Sequence, residues 1–313
     1  MFYHFLLLFS LFFVGNSTIS DGFYSHILKN YGKKAADRLA RKDLGWKGSF
    51  GGGEDVGPIL QKKVPILFVH GQTRRAGDLQ YVLKHFLEDG YTYDEVFGTS
   101  YGTNVTHDNY HSDMVYCKYI MQIRSMLEAV LSYTKHEQID IVAFSMGAGM
   151  TRKAILGGEC VDTKENLGLS LTSKIRNYVS VAGVQRGVVI CDKVKDYVPL
   201  CNGNNGLHCD SDYNRDINTP SGYEATERIV AIETTSDDIL GATTSCKTDP
   251  ALFTGANEVY TLNGLDHRAA IWFLGEVVYN ITQKMPLKSM EDIAAEAIRN
   301  AEKYSDYDIG ILP

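Results

Sequence analysis

Apolar positions along this chain alternate between short dense runs and stripes at helical spacing. Residues 64–70 (VPILFVH) form a run with the length of a buried strand. Leu79, Val82, Leu83, Phe86 and Leu87 then recur at the spacing of one helix face within 78–89. The same alternation predicts a strand over 95–101, a helix over 115–134, a strand over 138–144 and a helix over 146–156. Strands over 175–182, 227–233 and 258–262 and a helix over 268–281 complete it. Strands separated by helices imply a mostly parallel sheet with helices on both faces, an α/β domain.

The flanks differ in pattern. Residues 22–45 read as an amphipathic helical opening, and the glycine-rich stretch 48–57 as a flexible connector. The expected organisation is therefore an N-terminal segment over 18–63, the α/β domain over 64–285 and a helical tail over 286–313. Before these, Phe5 to Val14 is an apolar run too short to span a bilayer but sized for a signal-peptide core, with cleavage near Gly15 to Ser17. That assigns 1–17 to a signal peptide and the mature chain to the extracellular space.

Composition narrows the classes. With 313 residues, 44% of them apolar, the chain can bury a large single core. A net charge of −7 without a Lys/Arg-dense stripe excludes nucleic acid as a partner, and no obligate protein partner is evident. Six cysteines fit an exported, disulfide-bonded chain, with fifteen possible pairings. Cys191, Cys201 and Cys209 lie together in an insertion near 185–223, so at least one bonds outside it or stays free. Cys246 is the expected outside partner, which leaves Cys117 with Cys160. Asn104 and Asn280 begin glycosylation sequons.

The candidate chemistry centres on IDIVAFSMGAGMTRKAILGG, residues 139–158. Ser145 lies between a strand pattern and a helix pattern, with small residues two before it (Ala143) and two after it (Gly147), as a tight turn carrying a nucleophile requires. Acyl transfer needs two preorganised donors for the developing oxyanion. The Met146 N–H follows the nucleophile; the Gln72 N–H, after His70-Gly71, is the candidate for the second.

In this arrangement the acid follows a later strand and the histidine comes last. Only His208 and His267 follow Ser145, and His208 sits before the strand over 227–233. His267, between a strand and a helix, is the expected base. Asp237 and Asp238 are adjacent candidates for the acid, and Asp266 beside the histidine reads as a solvent-exposed charge.

Two patterns point elsewhere and fail on detail. Asp210, Asp212, Asn214 and Asp216 have the spacing of a calcium loop, but Arg215 and Ser221 occupy the positions that need Gly and Glu; a polar, disulfide-tied surface loop is expected instead. His107 and His111 lack an acidic partner at metalloprotease spacing. The insertion itself reads either as part of the substrate rim or as a surface excursion.

The stretches FVHGQT, EVFGTSYG, IDIVAFSMGAG, RKAILGG, IETTSDDILG and NGLDH resemble the class 2 lipases, which include the minimal bacterial triacylglycerol lipases and lipase-like proteins of nematodes. The resemblance runs over roughly 64–279. It implies an α/β-hydrolase fold, a Ser145, Asp237 and His267 triad, Gln72 and Met146 as oxyanion donors, and secreted cleavage of lipid or other carboxylic esters without metal or cofactor. Asp237 is preferred over Asp238 because an Asp two residues before an Ile is usual in this fold's acid loop. Transient contact with a lipid interface would follow from the same likeness. Phe144 departs from the His common before the serine in the small bacterial enzymes, which predicts altered packing rather than lost chemistry. A secreted lipid-binding protein on the same scaffold is the second reading.

Overall fold

The computed structural model describes residues 18–53, 63–102, 109–195 and 197–304. The expected signal peptide, the Asn104 sequon and His107 lie outside these residues. One parallel sheet runs through the described chain: β1 (Ile66–Val69), β2 (Val96–Thr99), β3 (Ile139–Phe144), β4 (Ile175–Val181), β5 (Arg228–Thr234) and β6 (Glu258–Leu262). The strand order is β2-β1-β3-β4-β5-β6. Progress across the sheet reverses at β1, with β2 on one side and β3 on the other. The crevice beyond the carboxyl ends of β1 and β3 is therefore a topological switch point, where ligands bind in open α/β sheets.

Side-chain alternation sorts the strands' residues into two cores. Leu67, Val69, Ile141, Ala143 and Ala231 face one, and Ile66, Phe68, Val142, Phe144 and Val230 the other. Helices α1 (Asp21–Tyr31), α2 (Lys33–Ala40), α3 (Gln80–Glu88), α4 (Cys117–Thr134) and α5 (Met146–Leu156) are joined by the short α6 (Cys191–Val194) and α7 (Asp212–Asn218). α8 (His267–Trp272), α9 (Gly275–Thr282) and α10 (Met290–Lys303) follow β6. α1, α2, α4 and α5 cover the first core, and α3, α8, α9 and α10 the second. Among the described residues, no helix is long and apolar enough to cross a membrane.

Three local expectations change. The single helix over 268–281 is broken at Phe273 and Leu274, both outside helical geometry. Its second half turns to pack on α3, where a Cβ on Gly275 would come within 2.6 Å of the His85 ring and 3.1 Å of the Val82 Cα. Tertiary packing here overrides a continuous helical stripe. The stretch read as a connector is pinned at its start: Phe50 is fully buried and exchanges N–H···O bonds of 3.0 and 3.1 Å with Gly98 of β2, covering that sheet edge. The calcium-like spacing forms α7, capped by the Ser211 hydroxyl, rather than a loop. Its carboxylates diverge, Asp210 and Asp212 pairing with Arg215 and Asp216 with Lys153.

The cysteines pair as Cys117–Cys160, Cys191–Cys201 and Cys209–Cys246, with Cα separations of 5.6, 5.0 and 6.1 Å. The third ties the insertion to the segment after the acid loop. A buried charge ties it to α5: the Arg152 guanidinium, 1% exposed, donates to Glu224 at 2.8 Å, Gln185 at 3.2 Å, Asn218 at 3.0 Å and the Ile217 carbonyl at 2.8 Å. Arg152→Met leaves the fully buried Glu224 carboxylate without its counter-charge, so a loss of about 3–5 kcal/mol in denaturant unfolding is expected. Arg152→Met combined with Glu224→Gln should recover part of it, because the uncompensated charge is gone.

One carboxyl at the head of the acid loop carries a pH signature. Burial, and then the neighbouring Asp249 carboxylate, push Glu233 above the ordinary glutamate range, against a Thr261 hydroxyl bond of 2.6 Å. A raised pKa in the folded state means stability present below the unfolded value and lost as pH rises through the folded one. Glu233→Gln is expected to melt above wild type near about pH 8 and to converge with it near about pH 4, measured by thermal unfolding across that range.

Candidate active site

Strand β3 delivers Ser145 to the switch point and α5 starts at the next residue. Ser145 adopts φ 50°, ψ −130°, a strained conformation for a residue with a Cβ. The turn works because its neighbours are small: a Cβ on Gly147 would lie 2.1 Å from the His70 carbonyl oxygen, and one on Gly71 would lie 2.8 Å from the Ser145 Cβ. The ends of β1 and β3 thus approach at backbone distance. Phe144, the departure from the small bacterial pattern, points to the opposite face and is fully buried in the second core.

His267 is the first residue of α8, and its ring bridges the two other elements. Its Nε2 lies 2.9 Å from the Ser145 Oγ, and its Nδ1 2.7 Å from Asp237 Oδ2. Asp237 is fixed in turn, since its Oδ1 accepts the Ile239 and Leu240 N–H groups at 3.0 and 2.7 Å. All three side chains are largely shielded: Ser145 is 7% and His267 8% exposed. A carboxylate on Nδ1 favours the tautomer with a proton there, leaving Nε2 to accept from the serine hydroxyl.

The other two acids of the sequence reading are used differently. Asp238 Oδ1 accepts the backbone N–H of His267 at 3.0 Å, and Asp266 caps α8 by accepting the Ala269 N–H at 2.6 Å. Asp266 is therefore a helix cap and not merely a surface charge. His208 bonds elsewhere, accepting the Asp210 N–H at 3.0 Å. His111 sits in a 3₁₀ turn over Tyr110–Ser112.

The candidate oxyanion donors flank the serine. Met146 is the first residue of α5, whose N–H has no partner within its own helix. Among the described residues, neither the Met146 nor the Gln72 N–H meets an acceptor. The Gln72 side chain is held away, donating to the Tyr110 carbonyl at 3.0 Å. Thr73, next in the loop, has φ 63°, like Ser145 a non-glycine residue at positive φ. The Arg74 guanidinium lies 5.4 Å over the Trp272 ring and joins this loop to α8.

Sequence reasoning missed His70 as more than a strand end. Its ring is buried, stacks on Tyr101 at 4.1 Å, and is hydrogen-bonded to the Tyr101 N–H and the Gly71 carbonyl behind the candidate oxyanion loop. Burial, with Arg75 and Arg41 nearby, holds it far below the ordinary histidine range, at about 3, so it is neutral. A histidine closing an otherwise apolar strand was the available signal.

The insertion borders the site. Just before it the Val184 N–H bonds the Ser145 carbonyl at 3.0 Å, and within it the Val189 N–H bonds the Leu240 carbonyl, beyond Asp237, at 2.9 Å. Asn280, the second sequon, is half-buried in α9, with the Thr282 hydroxyl turned into the helix to bond the Tyr279 carbonyl at 2.8 Å.

A parallel sheet with a serine at the strand–helix turn of its switch point defines the α/β-hydrolase class. Comparison with family models carries this further: residues 63–276 match the class 2 lipase family, and the chain belongs to it. Among solved structures, lipase BlEst2 of Bacillus licheniformis in its mature form is 12% identical over 76% of this chain and 97% of its own, with a TM-score of 0.50. Aspergillus fumigatus lipase B is 13% identical over 76% of this chain and 57% of its own, also with a TM-score of 0.50. At these identities the likeness is one of fold. A search of the curated proteins finds no match. Family membership makes the chain a lipolytic ester hydrolase.

Proposed function

We propose that this protein is a secreted serine hydrolase that cleaves carboxylic esters of lipids, acylglycerols among them, through Ser145, His267 and Asp237. The observation that carries the reading is the continuous line Asp237 Oδ2, His267 Nδ1, His267 Nε2, Ser145 Oγ, with spacings of 2.7 and 2.9 Å at its two hydrogen bonds. His267 takes the hydroxyl proton as Ser145 Oγ attacks the ester carbonyl. The carbonyl oxygen becomes an oxyanion and is received by the Gln72 and Met146 N–H groups. The intermediate collapses, the C–O bond to the alcohol breaks, and His267 returns the proton to the leaving alkoxide. Water activated by the same histidine then attacks the acyl-enzyme and frees Ser145 with the carboxylic acid.

Lipid esters as substrates are supported by family membership and by an apolar rim. Ile239, 57% exposed, follows the acid pair, and Ile190, 51% exposed, follows Val189, whose N–H bonds the Leu240 carbonyl. This surface also suits brief contact with a lipid interface. Secretion is supported by the apolar leader and three disulfides, and Asn104 and Asn280 are the glycosylation candidates in that compartment.

The test is hydrolysis of p-nitrophenyl esters from short to long acyl chains by protein from a disulfide-competent host. Activity that rises with chain length supports the lipid reading; a short-chain maximum replaces it with a soluble esterase. A folded protein inert across the series leaves a lipid-binding role on this scaffold.

A further inference from the structure

The N-terminal segment lies outside the residues that define the family, yet one of its side chains reaches behind the catalytic crevice. Arg41 ends α2 in a left-handed conformation, φ 51°, and is 8% exposed. Its Nε and Nη2 grip Asp43 with two bonds of 2.9 Å, which leaves Nη1 to donate to the Ser100 carbonyl at 2.6 Å and the Gly102 carbonyl at 3.2 Å. These carbonyls flank Tyr101, just beyond β2. The same peptide unit whose carbonyl Arg41 holds presents the Tyr101 N–H on its opposite side, because a trans peptide sets C=O and N–H antiparallel.

That N–H donates to His70 Nε2 at 3.1 Å. A donor on Nε2 requires the proton of the neutral ring to sit on Nδ1, which lies 2.7 Å from the Gly71 carbonyl. The Gly71 carbonyl belongs to the Gly71–Gln72 peptide, and its other end is the Gln72 N–H. The tyrosine hydroxyl adds a bond of 2.9 Å to the His70 carbonyl, and its ring stacks on the imidazole. Arg41, Ser100, Tyr101, His70 and Gly71 are buried, and Gly102 and Gln72 partly so, so the bonds between the buried members act at low dielectric and polarise one another.

We infer that Arg41 is a positioning residue for the oxyanion loop, acting through the Ser100–Tyr101 peptide, the His70 imidazole and the Gly71–Gln72 peptide to orient and polarise the Gln72 N–H. The inference rests on the reading of Ser145 as nucleophile and Gln72 as oxyanion donor. It gives the N-terminal segment a role in turnover. Arg41 touches no substrate; it sets the direction of a donor that does. A donor needed only when negative charge develops on the substrate oxygen affects kcat and leaves ground-state binding nearly unchanged.

The experiment compares full-length wild type, Arg41→Ala and Arg41→Lys by three readouts. These are kcat and KM on a p-nitrophenyl ester, the inhibition constant of an alkylboronic acid that forms a tetrahedral adduct on serine, and the ¹⁵N imidazole signals of His70. Arg41→Ala is expected to lower kcat by about tenfold, a fraction of the roughly 10²–10³ lost with a whole oxyanion donor. KM should stay within about twofold, and the boronic acid should weaken by the same factor as kcat. Arg41→Lys, which keeps the charge but loses the fork, should fall between. The His70 signal should move from the Nδ1–H tautomer in wild type to a mixture in the variants.

Unchanged kcat and boronic acid affinity in folded variants overturn the inference, as does a loss confined to KM. Should Arg41→Ala fail to fold, Arg41→Lys decides by the same comparison. If wild type neither hydrolyses esters nor reacts with a fluorophosphonate, the catalytic reading falls separately. The relay is then decided by His70 alone, and identical signals in wild type and Arg41→Lys overturn it.

Discussion

Ser145→Ala is expected to lower kcat for ester hydrolysis by about 10⁶-fold, with His267→Ala close behind and the double variant no worse than either. The non-additivity is the informative part. The serine hydroxyl is a weak nucleophile without a base, and the imidazole has nothing to activate without the hydroxyl, so removing either removes the whole attack. The residual rate should still exceed that in water by about 10³–10⁴, because the proposed oxyanion donors, Gln72 and Met146, remain. Stability should be little affected: the strained backbone at Ser145 carries a Cβ in both proteins, and the turn depends on the smallness of Ala143, Gly147 and Gly71. Kinetics on a short-chain ester, fluorophosphonate labelling and thermal unfolding measure all three. Labelling that persists in a folded Ser145→Ala would move the nucleophile to another residue.

Much of this candidate site is legible in the sequence, because the chemistry proposed for it would impose local patterns. A nucleophile on a strand–helix turn demands small residues at fixed offsets, and Ala143 and Gly147 supply them. Chain order separates His267 from His208. The sheet is legible for the same reason, since strands buried on both faces read as dense apolar runs bounded by polar residues. β1, β3 and β4 fall inside the runs expected for them, trimmed by one or two residues at their ends.

What was not legible depends on contacts between segments distant in sequence. No local pattern shows that the helix after His267 must stop at Trp272, because the reason is the surface of α3 around Val82 and His85. Likewise the glycines after Gly48 resemble a loose linker until Phe50 is found bonded to β2. The chain from Arg41 to Gly71 spans three separate stretches, and two of its links are peptide groups that carry no side-chain signature. Positioning through backbone is invisible to any reading of residue types.

The three carboxylates around His267 separate by function, and Asp237→Asn is the second large effect expected: a loss in kcat of about 10⁴-fold with the fold intact. The two carboxylate oxygens of Asp237 have different partners. Asp237 Oδ1 receives two backbone N–H groups, from Ile239 and Leu240, and Oδ2 faces His267 Nδ1. In the asparagine variant the carbonyl oxygen must keep the two backbone donors, so the amide NH₂ is turned to the imidazole. Nδ1 then becomes the acceptor, the ring proton moves to Nε2, and Nε2 can no longer take the proton of Ser145. Asp238→Asn is different, because an amide oxygen still accepts the His267 backbone N–H; it should cost less than about tenfold. Asp266→Ala removes a helix cap and should lower stability by about 1 kcal/mol while sparing turnover. Measuring kcat for the three variants from about pH 6 to 9, with unfolding on the same preparations, ranks them. A larger kinetic loss in Asp238→Asn than in Asp237→Asn would transfer the role of acid to Asp238 and undo the triad proposed here.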